Sequence, residues 1–130
     1  MALTTEETHV IAQSSDCDFV PFEHPEAGGT GGTVSFGEIA VLREQSHDGN
    51  VFITCFWRAE PATSPLQDGS FGDESGYIIR GTATVHVIDT GERLTLSPGD
   101  LYSFKKGTLT QWTIHEPFEK FAVIADFPSV

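Results

Sequence analysis

Short runs of β-branched and aromatic residues recur along most of this chain at intervals of about 8 to 12 residues, with glycine-bearing turns between them. No stretch has the period of about 3.6 residues that marks an amphipathic helix. Such spacing is typical of a β-sandwich or a closed β-barrel, and it predicts an all-β fold. The predicted strands cover residues 34–42, 51–58, 77–79, 82–88, 93–96, 101–104, 110–114 and 121–127, with residues 61–72 as a loop.

The first part of the chain has a different character. It is polar and irregular, and its prolines and the glycine-rich run 28–32 interrupt any long element, although residues 18–22 are predicted to form one short edge strand. A length of 130 residues suits one hydrophobic core rather than two. We therefore expect an N-terminal arm over residues 1–32 and a single barrel over residues 33–130.

The charge of the chain limits its partners. Its 19 acidic and 7 basic side chains give a formal net charge of -12, which repels phosphate backbones and anionic bilayers. The first residues lack the basic and apolar regions of a signal peptide, and no stretch approaches the roughly 20 apolar residues that span a bilayer. We expect a cytoplasmic protein with neither nucleic acid nor membrane as a partner.

The spacing of cysteines and histidines indicates no catalytic or metal motif. Cys17 and Cys55 form no CxxC pair, and two unpaired thiols in a reducing compartment are favoured over a disulfide. His9 and His24 lie in the arm and His47 lies in a predicted turn, where exposure to solvent is expected. No thiol chemistry is predicted.

Two stretches resemble the paired signatures of the cupin superfamily. The segment from Glu74 to Gly81 reproduces the second half of the first signature, which in the family begins with His-x-His. The turn at residues 98–100 (Pro-Gly-Asp), with Phe104 and Gly107 after it, keeps the frame of the second signature. The resemblance implies a cupin barrel, that is, a double-stranded β-helix or jelly roll, in which glycines turn the chain at the corners.

The resemblance is closer to the small cupins related to ureidoglycine aminohydrolase and to the EutQ protein of ethanolamine utilisation. That narrower family has a Trp after the second glycine and a Lys-aromatic pair in its last strand. Here Trp112 and the pair Lys120-Phe121 stand at those places, and Trp57 precedes the first signature as in the family. The resemblance covers about residues 52 to 125.

The chain departs from the family at the metal. The two histidine positions of the first signature fall on Gln67 and Gly69, or on Asp68 and Ser70 with the shorter spacing, and the third histidine position falls on Thr110. A transition-metal site needs three or four good donors at one point. We expect no tightly held metal and no other cofactor, while a site rebuilt from Glu74, His86 and an arm residue such as His24 stays open.

Glu74 is the predicted catalytic residue. If it faces the cavity, as the resemblance implies, desolvation would raise the pKa of its carboxyl group toward a value useful for acid–base catalysis. The alternative is that Glu74 only forms hydrogen bonds with a neighbouring strand or loop.

Six further residues are predicted to line a ligand cavity. Thr110 and Trp112 share one strand face, so Trp112 either stacks on a ligand or fills the core. Tyr77 and Tyr102 would offer hydroxyl groups near the mouth or simply pack. His86 shares a face with threonines that point either to solvent or to the cavity, and Gln67 stands at a vacated metal position.

Three functions remain open at this stage. The first is a metal-independent enzyme on a small nitrogenous or carboxylated metabolite, with Glu74 as acid–base and Trp112 as a wall of the aromatic-lined cavity. The second is a ligand sensor or accessory module that binds a small molecule without converting it, and the third is a dimerisation domain with a plugged barrel. The resemblance, and strands that are apolar on both faces, imply a homodimer.

Overall fold

The computed structural model describes residues 10–27 and 32–127. Its regular elements are one short 3-10 turn at Ser14–Asp16 and ten strands, which confirms the all-β fold class. No helix in the described part of the chain is long and apolar enough to cross a membrane. The strands are β1 (Val20–Pro25), β2 (Thr33–Gln45), β3 (Val51–Ala59), β4 (Ala62–Thr63), β5 (Asp73–Arg80), β6 (Ala83–Val87), β7 (Arg93–Leu96), β8 (Leu101–Phe104), β9 (Thr110–Ile114) and β10 (Phe118–Asp126).

The strands form two antiparallel sheets. One has six strands in the order β1-β2-β3-β10-β5-β8, and the other has four strands in the order β4-β9-β6-β7. One core cluster takes Trp57 and Ile78 from the larger sheet and Val85 and Trp112 from the smaller sheet. The hydrophobic core therefore lies between the two sheets, as in the cupin barrel that the sequence predicts.

Alternation along the strands of the smaller sheet explains how this core forms. Every second residue of β6 and of β9 is buried, and the intervening residues face outward. Phe118 and Ile78 are fully buried among these side chains. Truncating Phe118 to alanine would cost about 3 to 5 kcal/mol, because the close-packed interior cannot fill the hole.

Strands β7, β8 and β9 have the predicted bounds, whereas β5 and β10 begin earlier than predicted. β5 starts at Asp73 rather than at residue 77, and β10 starts at Phe118 rather than at residue 121. β5 is paired on both sides, with β10 and with β8, so its polar first half is held in the sheet by hydrogen bonds. As a result, Glu74 and Lys120 both lie inside strands.

The arm contributes an edge strand to the larger sheet. β1 pairs antiparallel with β2, and its register shifts between Pro21 and Glu23. It covers Val20–Pro25, slightly later than the predicted residues 18–22. Phe22 packs against the core cluster and His24 is buried, so these two residues of β1 face the interior. Most of the glycine-rich run, residues 28–31, lies outside the described residues.

Candidate functional site

Three polar side chains meet inside the barrel, on the neighbouring strands β5, β8 and β10. The hydroxyl group of Tyr102 donates a hydrogen bond to Oε2 of Glu74 at 2.5 Å, and Nζ of Lys120 donates to the same oxygen at 2.8 Å. Nζ of Lys120 also lies 2.8 Å from the Tyr102 hydroxyl oxygen. We call Glu74, Tyr102 and Lys120 the interior triad.

A glycine allows the interior triad to close. Gly76 lies directly opposite Tyr102 in the β5–β8 pairing. A Cβ atom at Gly76 would stand 2.4 Å from the Tyr102 ring, so the ring occupies the space that a side chain would fill. The Tyr102 hydroxyl group thereby reaches Glu74, two residues before Gly76 on the same face of β5.

Aromatic rings surround the ammonium group of Lys120. Its Nζ atom lies 4.3 Å from the ring centre of Trp112, 5.0 Å from that of Tyr102 and 5.1 Å from that of Trp57. Cation–π contacts of this kind contribute about 0.5 to 2 kcal/mol each. Trp57 is itself fixed, because its indole N–H donates to the Phe36 carbonyl oxygen at 3.2 Å. The centre of the barrel is therefore filled by the protein's own ammonium group and rings.

The ionisation of Glu74 differs from the prediction. Burial raises the pKa of its carboxyl group, but the charge of Lys120 and the hydrogen bonds from Lys120 and Tyr102 outweigh it, so the pKa of Glu74 is lowered. Burial and the nearby Glu74 charge raise the pKa of the Tyr102 hydroxyl well above its ordinary value. At neutral pH Glu74 is thus an ionised acceptor, and the expectation of a raised pKa was wrong.

A small cavity at one end of the barrel reaches the interior triad. It has a volume of about 50 Å³, and Gln67, Glu74 and His24 are among the residues that line it. The Glu74 side chain is 29% exposed. Both hydrogen bonds to its carboxylate end on Oε2, and no donor among residues 10–27 and 32–127 reaches Oε1. Glu74 therefore connects the buried charges with the cavity.

Thr110 and Trp112 both face the interior. The backbone of Thr110 exchanges two hydrogen bonds of 2.8 Å with that of Gln67, which fixes the loop before β5 against β9. Trp112 is buried in the core cluster, and its ring centre lies 5.5 Å from that of Tyr102. In this position Trp112 is a core residue whose face is already covered by the Lys120 ammonium group.

Tyr77 and His86 are not brought to the cavity. Tyr77 alternates with the buried Gly76 and Ile78, so it lies on the outer face of β5, where it is 43% exposed. His86 lies between the buried Val85 and Val87 of β6 and points away from the core for the same reason. Neither residue lines the cavity beside Glu74, so a ligand-binding role for them there stays a prediction.

The sequence pattern predicts no functional role for Lys120 and predicts that His24 is exposed. Lys120 is buried within β10 with a side chain only 10% exposed, although lysine is one of the residues least often found in an interior. His24 is only 6% exposed. The available signal was its alternation with Phe22, which places both on the same face of an edge strand.

The donor set does not fit the metal site that cupins usually carry. Within the described residues no group of three or more His, Cys, Asp or Glu side chains is placed to hold a metal ion. Glu74, the one ligand retained from the family pattern, already accepts hydrogen bonds from the Lys120 ammonium group and the Tyr102 hydroxyl. A cation at Glu74 would therefore have to compete with Lys120 for the carboxylate.

Comparison with known structures shows the same fold. A putative ethanolamine utilization protein Q from Salmonella typhimurium LT2 is 16% identical over 84% of this chain and 96% of its own, with a TM-score of 0.59. An uncharacterized protein with a double-stranded β-helix domain from Klebsiella pneumoniae is 23% identical over 78% of this chain and 81% of its own, with a TM-score of 0.57. Ectoine synthase from P. lautus is 20% identical over 69% of this chain and 64% of its own, with a TM-score of 0.60.

The sequence match is to a domain family. A search of curated proteins found no match. Residues 46–122 match the EutQ-like cupin domain, and this segment contains the whole interior triad but leaves out His24. Because the matched segment is more than half of the 130 residues, the chain belongs to the EutQ-like cupin domain family.

Proposed function

We propose that this cupin binds a small organic metabolite and that Glu74 anchors it. The observation that carries the proposal is the difference in hydrogen bonding between the two oxygens of the Glu74 carboxylate. Oε2 is held by Lys120 and Tyr102, whereas Oε1 receives no hydrogen bond from the described residues, and Glu74 lines the cavity at the end of the barrel. An ionised oxygen that is held in place and left without a donor is a preorganised acceptor for a ligand.

Binding fits the interior triad better than acid–base catalysis does. A general base is most effective when its pKa lies near the operating pH, and the pKa of Glu74 is instead lowered. The Tyr102 proton is engaged in the hydrogen bond to Glu74. The aromatic walls predicted for the cavity are covered as well, because Trp57 and Trp112 face the Lys120 ammonium group.

The second candidate is a metal-independent enzyme acting on a small nitrogenous or carboxylated compound. One observation favours it: three titratable groups are hydrogen-bonded to one another at 2.5 to 2.8 Å, and one of them, Glu74, lines the cavity. In an enzyme, Glu74 would exchange a proton with a ligand while Lys120 and Tyr102 hold its Oε2 atom. This candidate requires that a bound compound be converted, and the binding module does not.

The test is a thermal-shift screen of small amines and small carboxylic acids against the unmodified chain and Glu74→Gln. A ligand that binds only the folded state raises the melting temperature. At a ligand concentration of about 100 times the Kd, binding adds about 2.7 kcal/mol to the free energy of unfolding. The rise should disappear in Glu74→Gln and persist in Asp89→Asn, which removes an exposed carboxylate from the turn after β6. A ligand that raises the melting temperatures of Glu74→Gln and Asp89→Asn equally would contradict the proposal.

The same screen separates the candidates. The ligand is mixed with the protein and followed by proton NMR. A spectrum that stays unchanged over days identifies a binding module. A new product that forms with the unmodified chain but not with Glu74→Gln identifies an enzyme. If no compound shifts the melting temperature, the third possibility, a dimerisation domain with a plugged barrel, takes the place of both.

Four sequence predictions remain parts of this proposal. A metal-free chain is checked by elemental mass spectrometry of untagged protein, where one transition metal per chain would overturn it. A homodimer is checked by light scattering, and the exposed Tyr77 and Leu101 on the outer face of the larger sheet are consistent with it. The net charge of -12 disfavours nucleic acid and membrane partners, and their absence stays a prediction, as does a cytoplasmic location.

A further inference from the structure

His24 is a buried histidine with an unused nitrogen. It lies on β1, and its Nδ1 atom is 3.1 Å from the carbonyl oxygen of Pro25. Because a carbonyl oxygen only accepts, Nδ1 carries the proton, and Nε2 of the neutral ring is then a bare acceptor. Nε2 is buried and has no hydrogen-bond partner among the described residues. A buried acceptor left without a donor is unfavourable, so its retention calls for a reason.

His24 and Glu74 line the same cavity of about 50 Å³. The cavity is thus bordered by two residues that each have an acceptor atom with no hydrogen-bond donor among residues 10–27 and 32–127: Nε2 of the buried His24 and Oε1 of the partly exposed Glu74. Gln67 also lines it, and its amide group can either donate or accept. An anion or a carbonyl group would offer these acceptors nothing, whereas a group with two or more N–H bonds would satisfy both.

The charges near the cavity favour an N–H donor over a metal ion. The Lys120 ammonium group lies 2.8 Å from Oε2 of Glu74 and already neutralises much of that carboxylate. A divalent cation would meet this positive charge with only one neutral imidazole as a strong additional ligand. A monovalent ammonium or amidinium group has less charge to desolvate, and it is bound through directed hydrogen bonds.

We propose that His24 and Glu74 together form a binding site for a small N–H donor head group, such as a primary ammonium or an amidinium. The proposal rests on the binding function proposed above and narrows its ligand class to nitrogenous compounds. It also makes β1 a functional element, because the arm supplies a ligand-binding residue from outside the segment that matches the cupin family.

The cavity sets the size of the head group. A cavity of about 50 Å³ holds more than one water molecule, so it accommodates a small head group of a few heavy atoms. Methylammonium has this size, and the nearby Phe22 ring, whose centre is 5.5 Å from that of His24, offers an apolar contact for the methyl group. A ligand of two heavy atoms binds with a Kd on the order of 5 mM at best.

The test is an NMR titration of the full chain labelled with 15N in its histidine rings and with 13C in its glutamate carboxyl groups. The probe is methylammonium chloride up to about 100 mM, about twenty times the tightest Kd that a ligand of this size can reach. The control is tetramethylammonium chloride, which has the same charge and no N–H bond. We expect a bare Nε2 on His24 before the titration, and methylammonium should then shift the resonances of this atom and of the Glu74 carboxyl carbon with one saturating Kd.

Two histidine variants test whether His24 takes part in binding. His24→Phe keeps an aromatic ring beside Phe22 and should weaken methylammonium binding at Glu74 at least fivefold, whereas His47→Phe, in an exposed turn, should leave it unchanged. If His24→Phe does not fold, the titration of the unmodified chain still decides. Contacts between the His24 and Phe22 rings then assign the His24 resonance.

Three outcomes would overturn the proposal. The first is an Nε2 atom that already carries a proton in the free protein, and the second is an equal response to tetramethylammonium. The third is a methylammonium Kd, measured from the Glu74 carboxyl resonance, that is the same in His24→Phe as in the unmodified chain. In that case binding at Glu74 stands and only the role of His24 fails. If methylammonium gives no Glu74 response and the metabolite screen is also negative, the proposed function fails together with the inference.

Discussion

The ammonium group of Lys120 donates a hydrogen bond to Oε2 of Glu74 at 2.8 Å, although 46 residues separate the two in the chain. The Lys120 ammonium group lies among aromatic rings and its side chain is only 10% exposed, so water cannot fully replace its carboxylate partner. Removing one member of a buried ion pair leaves the other charge desolvated and uncompensated. The stability of the barrel should therefore depend on the two residues together.

Lys120→Met should lower the free energy of unfolding by about 3 kcal/mol, the lower end of the range for breaking a buried ion pair, because Glu74 keeps some contact with water. Urea unfolding followed by tryptophan fluorescence measures this loss. Lys106→Met is the matched control, since Lys106 also lies 2.8 Å from a carboxylate, that of Asp126, with side chains 49% and 36% exposed. It should lose less than about 1 kcal/mol.

Adding Glu74→Gln to Lys120→Met should restore part of the loss, because the double variant contains no unpaired buried charge. The double variant should be more stable than Lys120→Met alone. If the two losses simply add, Glu74 and Lys120 are not energetically coupled, and the interior triad is only a packing arrangement.

The lowered pKa of Glu74 predicts a specific response to acid. A carboxyl group whose pKa is lower in the folded than in the unfolded state stabilises the fold above its unfolded pKa, here about 4.5. This stabilisation is lost as the pH falls toward the folded pKa. The difference in unfolding free energy between the unmodified chain and Glu74→Gln should thus shrink as the pH falls from about 6 through the ordinary pKa of 4.5 and below it.

Urea unfolding at several pH values in this window measures the difference. Glu60→Gln, which removes an exposed carboxylate after β3, serves as the control for general effects of acid on this highly charged chain. A constant difference between the unmodified chain and Glu74→Gln across the window would mean that the pKa of Glu74 is not lowered in the fold.

The sequence predicts the residues that face the core more reliably than it predicts their partners. Alternation places Thr110 and Trp112 on the interior face of β9, and the structure confirms their orientation. The partnership of Lys120 with Glu74 depends on β10 lying beside β5 in the sheet, which no local pattern specifies. For the same reason, the charge that lowers the pKa of Glu74 was not foreseen.

The remaining differences come from the edges of the fold. His24 is the one buried residue of β1, an edge strand in a polar arm that pairs with β2, and its alternation with Phe22 is the only nearby feature that indicates an inward position. Tyr77 is one residue away from an inward position, and a shift of one residue reverses the face of a strand. The polar start of β5, which contains Glu74, has weak strand preference and is held by pairing on both sides.

The raised pKa of Tyr102 predicts a delayed alkaline titration. Tyr77 and Tyr102 are the two tyrosines of the chain, so Tyr77→Phe isolates the Tyr102 signal in the absorbance near 295 nm, where phenolate absorbs. The signal should remain absent at pH 10, near which a free tyrosine is half ionised, and should appear only as the protein unfolds. A reversible transition near pH 10 in the folded Tyr77→Phe chain would contradict the burial of the Tyr102 hydroxyl beside Glu74.

Gly76→Ala tests whether the missing side chain at this position is what seats Tyr102. The added Cβ atom would lie 2.4 Å from the Tyr102 ring, so we expect a loss of about 1 to 3 kcal/mol in urea unfolding, as for other overpacked cores. In a Tyr102→Ala background the conflict is absent, and alanine should then stabilise the strand relative to glycine by about 0.5 to 1 kcal/mol. This reversal of sign separates a steric conflict with Tyr102 from a backbone requirement for glycine, because a backbone requirement would make Gly76→Ala destabilising in both backgrounds.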